Sequence, residues 1–176
     1  DELKIRTLFS CQFPHPTVLI RKKVLKDNKL EYNEQFSTAQ DYELWSRMIE
    51  ITEFNTLPEI LLKYRTHEKQ ISVENRKKQL ENTKKIHQKL LLEIGLKNSE
   101  ESLTIHDFLT TFPHRMSLIQ IKKTENHLSS IILANEKSNF INHHSLSIFL
   151  SEYFYNICKK SKINALIKCF IFSNSI

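Results

Sequence analysis

Apolar residues in the second part of this chain recur at helical spacing, whereas the first part carries short aliphatic runs broken by prolines. Over residues 73–94, Leu80, Ile86, Leu90, Leu91 and Ile94 fall mostly three or four apart, and Gly95 stands where a helix C′ residue is expected. Ser99 then reads as an N-cap, with Glu100 and Glu101 in the favoured acidic first turn and Ile105, Phe108, Leu109 and Phe112 along one face. Leu118, Ile121, Leu128 and Ile132 predict a further helix. Leu146, Phe149, Leu150, Tyr153, Phe154, Ile157 and Cys158 predict another. Residues 73–176 are therefore expected to form a mainly α-helical extension.

Residues 1–72 have a different texture. Thr17-Val18-Leu19-Ile20 and Ile60-Leu61-Leu62 are short runs of strand-forming residues, punctuated by Pro14, Pro16 and Pro58. Between them, Leu44 with Met48 and Trp45 with Ile49 make i, i+4 pairs on one helical face, which puts Asp41 at the helix N-terminus. An aspartate there serves first as a partner for unpaired backbone N–H groups. The expectation for this part is mixed α and β: strands and loops around one helix.

Composition narrows the picture without deciding it. The chain has 176 residues and 40% apolar content, enough for one domain or two small ones. Its formal charge of +6 lies entirely beyond Ser72, where 15 basic residues face 9 acidic ones; up to Ser72 there are 11 of each. Such an excess suits an anionic membrane surface or a solvated lysine-rich face, and no nucleic-acid motif accompanies it. Cys11, Cys158 and Cys169 form no CxxC pair, so a reducing, cytoplasmic setting is expected. The most apolar stretch, residues 146–172, is interrupted by Lys159, Lys160 and Lys162 and falls short of the ~20 apolar residues of a membrane span. The start, Asp1-Glu2-Leu3-Lys4, has neither an initiating Met nor a signal-peptide pattern, and a fragment of a longer protein is expected.

Four segments carry the chemistry when taken in order. They are His15-Pro16-Thr17-Val18-Leu19-Ile20-Arg21; Tyr32-Asn33-Glu34 with Phe36; Gln40-Asp41-Tyr42-Glu43-Leu44-Trp45-Ser46-Arg47; and Leu57-Pro58-Glu59-Ile60-Leu61-Leu62-Lys63-Tyr64-Arg65-Thr66-His67. Together they resemble the second half of family-2 glycosyltransferases, over residues 11–72. The resemblance implies a partial GT-A, α/β domain over residues 1–72. It also implies inverting sugar transfer from a nucleotide-sugar donor to a glycan or lipid-linked acceptor, in bacterial polysaccharide or cell-envelope synthesis. Asp41 matches the family's catalytic base, which takes the proton of the attacking hydroxyl. Gln40 beside Asp41 and Arg65, a cation for the departing diphosphate, are expected substrate contacts; His15 and Thr17 either line the acceptor cleft or open a strand, and His67 falls where a metal and diphosphate site can be joined. Mg2+ or Mn2+ is the implied cofactor.

Two departures from the family pattern matter. Gln40 stands where Glu is commoner, and no glycine occurs near the Asn28-Lys29 turn. No Asp-x-Asp occurs anywhere in the chain, so the donor-binding half is expected to be missing and the isolated chain inactive. Trp45 and Tyr64 are expected in the core rather than as sugar-stacking platforms. His106, His143 and His144 lack metal spacing and receive no role. The competing reading is a non-enzymatic helical module that docks on a partner or on the inner face of an anionic membrane.

Overall fold

The computed structural model describes residues 1–65, 74–97, 99–111 and 115–161. Its helices are α1 (Glu2–Thr7), α2 (Lys22–Asp27), α3 (Gln40–Met48), α4 (Arg76–Glu93), α5 (Glu100–Thr110), α6 (Leu118–Ser138) and α7 (His143–Lys160). Short 3-10 turns lie at His15–Thr17 and Glu34–Phe36. The chain divides into two compact units, Ser10–Ile86 on one hand and Asp1–Phe9 with the described residues from His87 onward on the other.

Among the described residues there is no strand, which overturns the expected α/β, partial GT-A arrangement of the first part. The first supposed strand shows why. Thr17 spends its donors locally, its N–H and hydroxyl both reaching the Pro14 carbonyl at 2.9 and 2.7 Å. Val18 and Ile20 then turn inward while Leu19 is wholly exposed, an alternation typical of extended chain. A strand also needs a ladder partner for its N–H and C=O groups, and the described residues supply none. The second supposed strand fares no better: Ile60 and Leu61 are 94% and 74% exposed in irregular chain.

The Ser10–Ile86 unit packs around α3. Leu44, Trp45 and Met48 form its buried cluster, covered by Phe13, Val18, Ile20, Val24, Leu25, Leu30 and Phe54. Trp45 is buried as expected, but Tyr64 is 61% exposed and belongs to no core. The α2 turn ends with Lys29 at φ 50°, the left-handed region that favours glycine, with the Leu30 N–H closing onto the Leu25 carbonyl at 2.9 Å.

The helical unit follows the apolar periodicity closely. α6 packs on α5 and α7, and α7 on α1. Leu103, Leu109, Ile121, Leu128, Ile131, Leu146, Leu150 and Phe154 are buried, each such side chain contributing ~1.5–3 kcal/mol relative to exposure. Helix ends are closed by side chains. The Ser117 hydroxyl accepts from the Gln120 N–H at 3.3 Å while the Gln120 amide oxygen accepts from the Ser117 N–H at 2.8 Å, a reciprocal capping box. After α4, the Leu96 N–H bonds to the Leu91 carbonyl and the Gly95 N–H to the Leu92 carbonyl, both at 2.9 Å. This closure requires the left-handed φ of 91° that Gly95 adopts.

Candidate functional site

Helix α3 starts because Leu44, Trp45 and Met48 repeat on one buried face and because its first-turn N–H groups find an acceptor. Ala39 occupies the N-cap without a side-chain bond. Asp41, in the first turn, accepts the Tyr42 N–H through Oδ1 at 2.8 Å and stays partly exposed.

One turn further, on the same face, the Trp45 indole N–H donates to the Phe13 carbonyl at 3.2 Å. The Cys11 thiol reaches the same carbonyl at 3.5 Å. Residues 11–15 are therefore pinned alongside the start of α3, and Cys11 comes to lie beside Asp41 and Tyr42. The electrostatics report that proximity. Loss of hydration, and then the negative charge of Asp41, push the Cys11 thiol up to about 11. Cys11 counts as exposed as a whole residue, so this shift reflects crowding of its sulfur rather than a buried residue. Burial, followed by the Cys11 charge, raises the Tyr42 hydroxyl well above its ordinary value.

His15 lies in the same neighbourhood. Its Nε2 is 2.9 Å from the Tyr32 hydroxyl, and its ring stands edge-on to Trp45 at 6.3 Å. Beneath them, Arg47 grips the buried Glu43 carboxylate with two bonds of 2.8 and 2.7 Å and donates a third to the Glu31 carbonyl at 2.7 Å. That fork ties the segment bearing Tyr32 to α3, the geometry for which arginine is suited.

Of the residues expected at a substrate site, the fold thus gathers Asp41 and His15, with Gln40 next to Asp41 at the helix start. The Thr17 hydroxyl is turned to Pro14. Arg65 is exposed in the irregular chain after α3, and His67 lies outside the described residues. Sequence reasoning missed Cys11 and the Glu43–Arg47 fork, although Glu43 and Arg47 stand at i, i+4 and could have been paired on that ground.

The chain matches no family model. No solved structure matches it either. A stretch of 79 residues, 45% of the chain, is 34% identical to a protein of Haemophilus influenzae. That relative is named an uncharacterized glycosyltransferase. The matched stretch covers 24% of the relative, so the chain spans about a quarter of that protein's length.

The described residues include no group of three or more His, Cys, Asp or Glu side chains able to hold a metal ion. Among the described residues, no helix is long and apolar enough to cross a membrane.

Proposed function

We propose that the Ser10–Ile86 unit is the acceptor side of a family-2-like, inverting glycosyltransferase, with Asp41 as general base. The observation that carries this reading is Asp41 itself: a partly exposed carboxylate in the first turn of α3, inside an ordered set of motif segments. The similarity to a protein named a glycosyltransferase supports the same class. In the proposed step an acceptor hydroxyl oxygen bonds to the anomeric carbon, the bond from that carbon to the nucleoside diphosphate breaks, and the hydroxyl proton passes to the Asp41 carboxylate. A positioned base of this kind supplies ~10²–10⁴-fold.

Gln40, His15, Thr17 and Arg65 are the proposed substrate contacts, and a nucleotide sugar with a glycan or lipid-linked acceptor the proposed substrates. Peripheral contact with an anionic membrane falls to the exposed Lys159 and Lys160 at the end of α7. The test is release of nucleoside diphosphate from a panel of uridine and guanosine diphosphate sugars. The enzyme would be the product of the longest reading frame that encodes this chain. Acceptor-dependent release from at least one donor is expected. Absence of release from all of them, with membrane extracts supplied as acceptors, would remove the reading.

A further inference from the structure

A single aromatic residue at a protein surface is ordinary and by itself indicates nothing. Tyr32 differs in being exposed and fixed at once. It is 46% exposed, yet the chain is tied down on both sides of it. Before it, Arg47 of α3 donates to the Glu31 carbonyl at 2.7 Å; after it, the Asn33 side chain accepts the Gln35 N–H at 3.0 Å and caps the 3-10 turn. The hydroxyl is held as well, 2.9 Å from Nε2 of the half-buried His15. The His15 ring, tilted 48° to Tyr32 with centroids 5.3 Å apart, stands in turn edge-on to Trp45 at 6.3 Å. Trp45 is 3% exposed and anchored by its indole bond to the Phe13 carbonyl. A buried tryptophan, a half-buried histidine and an exposed tyrosine thus form one aromatic ladder from the core of the Ser10–Ile86 unit to its surface.

We propose that the Tyr32 ring is a stacking platform for a sugar of the acceptor, so that the acceptor presents a pyranose ring, free or lipid-linked. The proposal rests on the assignment of Asp41 as general base and adds the class of molecule that this base serves. A pyranose carries hydroxyls around its rim and C–H groups on its faces. Those C–H groups suit the negative face of an aromatic ring, and stacking removes apolar area from water on both partners. The rim hydroxyls stay available to polar neighbours.

Tyrosine meets the requirement cheaply, because its side chain has two torsions to fix on binding. The bonds at Glu31, Asn33 and the hydroxyl fix much of that freedom in advance. A phenolic hydroxyl both donates and accepts, and His15 takes one of these roles, so either tautomer leaves the other for a sugar hydroxyl. Trp45, one turn from Asp41 on the same face of α3, is buried and cannot stack on a ligand itself. Through His15 it instead supports an aromatic surface beside the helix face that carries Asp41, where the reacting hydroxyl must arrive.

The test is saturation-transfer nuclear magnetic resonance on the 176-residue chain. The probes are the methyl pyranosides of glucose, galactose, mannose and N-acetylglucosamine, with glycerol and uridine as controls. Binding of these probes needs neither donor nor turnover, so it is read separately from nucleoside diphosphate release by the longer enzyme. At least one pyranoside should receive saturation chiefly at the C–H protons of one ring face and should shift the ring resonances of Tyr32 and His15. Glycerol, which has no ring face, should do neither. Tyr32→Ala should weaken that pyranoside ~10-fold, Tyr32→Phe should weaken it less because the ring remains, and Asp41→Asn should bind it as the wild type does. Pyranoside stacking without nucleoside diphosphate release would remove the transferase reading and leave the platform standing. No transfer to any pyranoside, binding that leaves Tyr32 unperturbed, or equal affinity in wild type and Tyr32→Ala would overturn the platform. Displacement of the pyranoside from Tyr32 by uridine would overturn it too, since the ring would then be a surface for a nucleobase. The wild-type shifts at Tyr32 decide the matter even if a variant fails to fold.

Discussion

In the helical unit, backbone groups are paired inside α5, α6 and α7 and at the capped ends of those helices. Packing then adds buried aliphatic stripes to structure that is already satisfied locally. Among its described residues, the Ser10–Ile86 unit has the short α2 and α3, two 3-10 turns and the start of α4, and distant bonds tie them together. The Trp45 indole holds Phe13, Arg47 holds Glu31, and the Asn82 amide holds the Thr38 hydroxyl at 3.1 Å. Regular structure distributes its stability over many equivalent contacts, whereas irregular structure concentrates it in a few. The same concentration sets a carboxylate, a thiol, an imidazole and a phenol near one helix end, as binding and catalytic sites on loops commonly require.

This contrast is sharpest at Trp45. Trp45→Ala should cost ~3–5 kcal/mol, because it empties the centre of the buried cluster on α3 and leaves the Phe13 carbonyl with one donor fewer. Urea unfolding followed by circular dichroism would measure it. A loss below ~1 kcal/mol would mean that stability in this unit is spread as evenly as in the helical one.

That dependence on distant bonds also explains which parts of the fold were legible. Period and caps are local, so residues 73–94 with Gly95, the Ser99 cap and the faces through Leu128 and Leu146 could be read directly, and Ser99 does accept the Ser102 N–H at 3.1 Å. Strand formation is not local, and the β-branched runs at Val18 and Ile60 carried the propensity without the partner. Asp41 could be placed at a helix start from Leu44, Trp45, Met48 and Ile49, while its neighbour Cys11 lies 30 residues away and no periodicity links the two.

The two left-handed positions provide a finer comparison. Gly95→Ala should destabilise the helical unit by ~1–2 kcal/mol, since φ is 91° and a Cβ would lie 3.3 Å from the Ala134 carbonyl oxygen. Lys29→Gly should act in the opposite direction, stabilising the other unit by up to ~1 kcal/mol, because a lysine already occupies φ 50° there. Thermal midpoints of the two variants should therefore move apart. A fall in both would show that Lys29 contributes through its side chain rather than resisting through its backbone.

The central claim, that Asp41 is the proton acceptor in sugar transfer, is tested most directly by turnover of Asp41→Asn. The substitution would be made in the product of the longest reading frame encoding this chain, using the donor on which the wild type is active. Asparagine retains an oxygen to accept the Tyr42 N–H, so the unfolding midpoint should stay unchanged. Turnover should fall ~100-fold or more. An intact fold that keeps more than ~10% of the wild-type rate would contradict the assignment.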